Sequence, residues 1–322
     1  MDFKVLTDNI IDLISKKYSY LCIKQNEFKE IKEGLSKELP NVDSCNSALK
    51  ILEKYLSVFK DGHINVVDGQ SYTHQTFNLN GKNYDNKVAD SYLSNIEKIG
   101  PINLGNLEDV LYIRFDTFSE SQREHFMKLY STNPSNEKFI IDLRSNTGGN
   151  SFLTEPLVNF MFGNNDNRKK LKLYLRKRID ENNPLILSDF KPNYIFPKFE
   201  HDAKKIVTLI GPKTYSAAEL ATLGLKTVKD NIVIGDVSGG GTGTPLPYLC
   251  DGVNFGRIIN FDEKPNDFGA KFGLALPSLL IYDADKNLIQ NRGITPDIII
   301  PSDESIINNK DLVLEKALEL LK

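Results

Sequence analysis

The stretch Phe139-Ile140-Ile141-Asp142-Leu143-Arg144-Ser145-Asn146-Thr147-Gly148-Gly149-Asn150 decides how the chain is read. An apolar strand runs into a glycine pair and then toward a helix expected over Phe152–Phe162. Glycines at such a junction let backbone N–H groups converge on one point, because no Cβ blocks the conformation or the approach of a ligand. That is the chemistry of an oxyanion hole or anion site. The same segment also reads as a strand-to-helix turn that simply requires positive φ.

Working toward the C-terminus, a second strand, expected over Lys205–Ile210 and reading Ile206-Val207-Thr208-Leu209-Ile210 in its apolar part, leads through Gly211-Pro212-Lys213-Thr214-Tyr215 to Ser216-Ala217-Ala218-Glu219, which opens a helix. A serine at a helix N-terminus lies beside unpaired N–H groups and the positive end of the helix dipole, which suits a nucleophile. Ser-x-x-Glu is equally a capping box, in which Ser216 and Glu219 only close the helix end. A third segment, Gly235-Asp236-Val237-Ser238-Gly239-Gly240-Gly241-Thr242-Gly243, lacks the Gly-Lys-Ser/Thr ending of a phosphate loop. Gly239, Gly240 and Gly241 are expected to form a flexible wall against which an extended peptide lies.

Further strands are expected at Val110–Phe115, Lys138–Leu143, Leu171–Ile179, Asn231–Gly235, Val253–Asn260 and Phe272–Tyr282, and further helices at Ser121–Ser131, Ser216–Lys229 and Asp311–Leu321. Short strands alternating with helices describe a mixed α/β or α+β core. Residues 1–67 show apolar residues at helical spacing, among them Ile10, Ile14, Ile31, Leu35, Leu52 and Leu56, and read as an N-terminal helical module. The polar stretch 68–105 reads as an insert, either a long loop or a small hairpin, too short for a separate peptide-binding domain. Residues 106–322 form the expected core.

Composition limits the function classes. With 40 Lys and Arg against 43 Asp and Glu the net charge is −3, so neither nucleic acid nor anionic lipid is the expected partner. Cys22, Cys45 and Cys250 are scattered and odd in number, which suits reduced thiols. No apolar run reaches membrane-spanning length and no secretion leader is apparent, so a cytoplasmic protein is expected. Among His63, His74, His125 and His201 there is no metal-ligand spacing, and no cofactor is expected. His125 stands in a charged helix and His74 and His201 in polar loops, so these three read as solvated. His63 follows Asp61-Gly62 at the end of the helical module.

Taken together and in order, these segments resemble the C-terminal processing and tricorn-core family of serine peptidases. The matching elements are Asp61-Gly62-His63, Asp142-Leu143-Arg144 with Gly148-Gly149, Thr214 to Glu219, Gly235 with Gly239 to Gly241, and Gly293-Ile294-Thr295-Pro296-Asp297. The resemblance implies a crotonase-like ββα core sheet with flanking helices. It implies Ser216 as nucleophile, with an oxyanion hole from the N–H groups of Ala217 and of one of Gly148 and Gly149. The lysine of the family's Ser-Lys branch is missing at Gly240-Gly241, whereas His63 occupies the place of the base in the histidine branch. Gln290 stands where the family often carries a glutamate that orients that histidine, and Glu219 is the second candidate for this role. The implied substrate is an extended peptide or a protein tail, and a homo-oligomer is left open. The rival readings are a non-catalytic ligand-binding protein similar to retinoid-binding modules, and a hydrolase or acyltransferase of small esters or amides.

Overall fold

Strand Lys138–Asp142 is the middle strand of a seven-stranded sheet, and its unbroken apolar run follows from having both faces covered. The computed structural model describes residues 2–68, 74–75, 79–131, 136–161, 170–195, 205–251, 253–258 and 272–322. The chain forms two units, each assembled from separated stretches. One comprises Met1–Asn78, Leu175–Lys191 and Thr242–Ile281, and the other Leu79–Tyr174, Pro192–Gly241 and Tyr282–Lys322.

The second unit holds the large sheet, in the order Ile298–Ile299, Ile232–Gly235, Lys205–Ile210, Lys138–Asp142, Val110–Phe115, Ile102–Leu107, Ser94–Ile99. The first five of these are parallel and the last two add an antiparallel hairpin. Side chains alternate between the two faces. Ile113, Phe115, Phe139 and Ile141 pack with Phe126, Leu157 and Ala221 of helices Arg123–Ser131, Thr154–Phe160 and Ala217–Leu225. On the other face Tyr112, Ile140, Val207 and Leu209 meet Val313, Leu314 and Ala317 of helix Leu312–Leu321. The architecture is a mixed α+β fold.

One ion cluster ties the sheet to that last helix. Arg144 is fully buried, and its Nη2 lies 2.7 Å from Asp142 Oδ2 and 2.8 Å from Asp311 Oδ2. Nη1 donates to Asp311 Oδ1 at 2.9 Å and to the Asn83 carbonyl at 3.1 Å. Tyr112 donates to Asp142 Oδ2 at 2.7 Å, and Asp311 caps the helix by accepting from the Leu314 N–H at 3.0 Å. Burial alone would raise the Asp142 pKa, but the Arg144 guanidinium beside it brings it below the ordinary value.

The first unit begins with helices Phe3–Lys17, Gln25–Glu38 and Cys45–Leu56. Asp2 and Ser44 cap the first and third by accepting backbone N–H groups, as their short polar side chains predict. Leu6, Ile10, Ile14, Ile31, Leu35, Leu52 and Leu56 form the buried stripes. Gly34 is required here, since a Cβ would lie 1.9 Å from the Tyr55 ring. An antiparallel sheet follows in the order Asn254–Ile258, Pro245–Asp251, Phe272–Pro277, Asn65–Asp68, His74–Gln75.

Several expected elements change shape for local reasons. The single strand expected over Phe272–Tyr282 is two, Phe272–Pro277 and Leu280–Tyr282, because Pro277 has no N–H to continue the ladder. The helix expected to reach Lys229 ends at Leu225, whose carbonyl accepts from Asn231 Nδ2 at 2.9 Å. The polar stretch before the core contains the hairpin Ser94–Ile99 and Ile102–Leu107; its outer strand is almost wholly exposed, so no apolar alternation marks it. Of the strand expected over Val253–Asn260, Asn254–Ile258 is formed, and residues 259–260 lie outside the described residues.

Candidate active site

Ser216 ends the turn that leaves strand Lys205–Ile210 and is the N-cap of helix Ala217–Leu225. Its backbone sits at φ 54° and ψ −120°, a region an L-residue enters only under constraint, at a cost of about 1–3 kcal/mol. The constraint is a set of hydrogen bonds. Thr214 Oγ1 donates to the Leu143 carbonyl at 2.9 Å and accepts from the Gly211 N–H at 3.0 Å, while the Tyr215 N–H donates to the Asn146 carbonyl at 3.1 Å. The sharp strand–turn–helix that results is the geometry that presents nucleophilic serines in hydrolase sheets.

The glycine pair packs directly on this turn. A Cβ on Gly148 would lie 2.6 Å from Ser216 Cβ, and one on Gly149 would lie 2.2 Å from the Phe118 carbonyl oxygen. Both have φ above 100°, at 110° and 128°. The sequence left open which glycine supplies an oxyanion donor. The Gly148 N–H donates to Asn146 Oδ1 at 2.8 Å and is therefore committed. The Gly149 N–H points away from Phe118, because the parallel bridge between the two uses the Gly148 carbonyl and the Asn150 N–H. Among the described residues neither the Gly149 nor the Ala217 N–H has an acceptor. Gly148→Ala is expected to lower peptide turnover on the order of 10²-fold or more by displacing this backbone, measured as kcat on the folded fraction.

Glu219 is fully buried and accepts four hydrogen bonds. Oε1 takes the Ser238 hydroxyl at 2.6 Å and the Gly240 N–H at 2.9 Å, and Oε2 takes the Gly241 N–H at 2.9 Å and the Ser216 N–H at 3.2 Å. Burial pushes its carboxyl up to about 7, with the bonds from Ser238, Gly241, Gly240 and Ser216 opposing the rise. Glu219 thus caps the helix, and it also clamps the glycine run to the serine turn.

That clamp corrects the expectation of a flexible wall at Gly239, Gly240 and Gly241. Their three N–H groups go to the Thr214 carbonyl and Glu219, and the Gly240 and Gly241 carbonyls accept from Asn291 and Ser216. The backbone donors an extended peptide would need are used internally. The glycines are dictated by packing, since a Cβ on Gly241 would lie 1.6 Å from Tyr215 Cζ.

Gln290, in the same unit as Ser216, is 1% exposed, and its Nε2 donates to Asn291 Oδ1 at 3.2 Å. His63 belongs to the other unit, where the Asp61 carboxylate accepts the His63 N–H at 2.9 Å and the Tyr18 hydroxyl at 2.9 Å. Burial lowers the His63 pKa to about 4, and a ring N–H donated to the Thr242 carbonyl partly opposes the shift. Thr242 is therefore a main-chain acceptor for His63 that residue identity could not reveal. His125 is half-buried rather than solvated, with Nδ1 unpartnered among the described residues. The His74 side chain and His201 lie outside the described residues.

Residues 109–300 match the model of peptidase family S41, more than half of the chain. No curated protein matches the sequence. A Parabacteroides merdae protein classed as a peptidase superposes with a TM-score of 0.76 at 19% identity, covering 100% of this chain and 97% of that one. A lipoprotein of Streptococcus agalactiae gives 0.62 at 15% identity, covering 100% and 96%. The photosystem II D1 C-terminal processing protease gives 0.53 at 12% identity, covering 96% and 95%. At these identities the superpositions speak for the fold, and the family match speaks for the class. The chain belongs to peptidase family S41, the tail-specific and tricorn-core group. It is a serine-type peptidase and hydrolyses peptide bonds by a serine-based mechanism.

Proposed function

We propose that Ser216 is the acylated nucleophile, that His63 is its general base, and that the Gly149 and Ala217 N–H groups hold the oxyanion. The observation that carries this reading is the strained Ser216 backbone beside two N–H donors with no acceptor among the described residues. His63 removes the Ser216 proton as Oγ attacks the scissile carbonyl, and returns it to the leaving amine; water then hydrolyses the acyl-enzyme. The Thr242 carbonyl fixes the ring tautomer, and Gln290 serves as a further neutral acceptor.

The substrates are extended peptides and protein C-terminal tails, a reading supported by the likeness to the D1 C-terminal processing protease. The proposal includes a crotonase-like ββα arrangement within the core 106–322, the helical module 1–67 and the insert 68–105. It also includes a cytoplasmic location, which the odd number and wide scatter of Cys22, Cys45 and Cys250 favour; among the described residues no helix is long and apolar enough to cross a membrane.

The pH–rate profile of peptide hydrolysis tests the base. With His63 lowered to about 4, the rate should rise with pH through an acidic limb and stay level from about pH 6 to 9. A limb near the ordinary lysine pKa of about 10 would assign the base to an amine instead.

A further inference from the structure

His63 is held from two sides by the segment that follows the first helix. Tyr18 closes helix Phe3–Lys17 and Tyr20 lies in the short 3-10 turn Ser19–Cys22, and both side chains are fully buried. The Tyr18 ring packs on Phe59 with 4.6 Å between centroids and meets Tyr20 edge-on at 6.1 Å, which fixes where the two hydroxyls lie. Between them, Ser19 Oγ donates to the Leu279 carbonyl at 3.2 Å and anchors the turn.

Each hydroxyl ends on a group that itself holds His63. The Tyr18 hydroxyl donates to Asp61 Oδ2 at 2.9 Å, while Oδ1 of the same carboxylate accepts the His63 main-chain N–H at 2.9 Å. The Tyr20 hydroxyl donates to the Thr242 carbonyl at 2.8 Å, with Thr242 Oγ1 beside it at 3.2 Å. That carbonyl is the one that accepts the His63 ring N–H. A carbonyl oxygen has two lone pairs, so it takes both donors, and the tyrosine fixes the direction left for the imidazole. Phenylalanine would fill both places in the core, and a buried hydroxyl carries a desolvation cost that its own bond only offsets. Bonds placed on both anchors of one histidine, main chain and ring, point to the orientation of that residue rather than to packing.

We infer that Tyr18 and Tyr20 are positioning residues for His63, acting through the Asp61 carboxylate and the Thr242 carbonyl, so that the segment after the first helix belongs to the catalytic machinery. The inference rests on the reading of His63 as general base and deepens it. A base must be held within about 0.5 Å and about 10–20° of its productive geometry, and an imidazole that loses one anchor turns about its free bonds. Loss of either hydroxyl should therefore slow proton removal from Ser216 and leave substrate binding in place.

The test is a double-mutant cycle of Tyr18→Phe and Tyr20→Phe, each made in the parent protein and in His63→Ala. Phenylalanine keeps the packed ring and removes only the hydroxyl. In the parent background each should lower kcat for peptide hydrolysis by about 10-fold with KM held within about 2-fold, and should slow fluorophosphonate labelling of Ser216 to the same degree. In the His63→Ala background neither should slow labelling further, because the group they position is gone. Rates are read well below each variant's thermal midpoint, so lost stability does not enter them. Parent-like kcat in a variant overturns the proposal for that tyrosine, and equal losses in both backgrounds overturn it for both by showing a general structural role. Parent-like turnover in His63→Ala removes the base assignment, and the proposal with it, on a variant that carries neither tyrosine substitution.

Discussion

Arg144→Ala should lower the free energy of unfolding by roughly 3–5 kcal/mol, the scale for removing one partner of a buried ion pair. The substitution leaves Asp142 and Asp311 facing each other in the interior with their guanidinium gone, and Asp311 is also the cap of helix Leu312–Leu321. Denaturant titration should show the loss, and Arg144→Lys should recover only part of it, because an ammonium cannot span both carboxylates with a planar fork. The sign of the pH dependence follows from Asp142. Its folded pKa is depressed, so its contribution is present above the unfolded value of 3.8 and is lost as pH falls through the lower folded value. A variant as stable as the parent would mean the cluster offsets its own desolvation and no more.

His63→Ala should lower kcat by about 10²–10⁴-fold, the usual contribution of a general base. The side chain is buried rather than lying in an open cleft, so the variant should also lose roughly 1–3 kcal/mol of stability through the cavity it leaves. The two effects separate because kcat can be measured at temperatures where the variant is fully folded. The buried imidazole also makes the parent acid-sensitive. The unfolded ring takes a proton near pH 6.5 and the folded ring only near about 4, so stability is full above pH 6.5 and falls as pH drops toward 4, by up to about 3 kcal/mol. His63→Ala should flatten that slope. Retained turnover in the folded variant would remove His63 from the mechanism.

Much of the core was legible because strands buried on both faces must read as apolar runs. Val110–Phe115 and Lys205–Ile210 appear with the limits their sequences predict, and Ser216 lies at the strand–turn–helix junction expected of it. The exposed hairpin strand Ser94–Ile99 was hidden because an edge strand with a solvated face needs no alternation. The glycine run was misread for a different reason. Glycine reports that a Cβ is forbidden without saying what forbids it, and here Tyr215, the backbone at 291–293 and the Glu219 clamp do so rather than a substrate. Asn146 escaped notice because its task, accepting the Gly148 N–H and so leaving Gly149 as the available donor, is set by backbone geometry that residue type alone does not encode. The Thr242 carbonyl facing His63 escaped for the same reason.

The central claim, that Ser216 is the reacting atom's carrier, is tested most directly by mass spectrometry of the protein treated with a fluorophosphonate. A serine with an activated Oγ beside oxyanion donors reacts far faster than surface serines. One adduct per chain, mapped to the peptide containing Ser216 and lost in Ser216→Ala, is the expected result; an adduct that persists in Ser216→Ala, or no adduct on folded protein, would contradict the account.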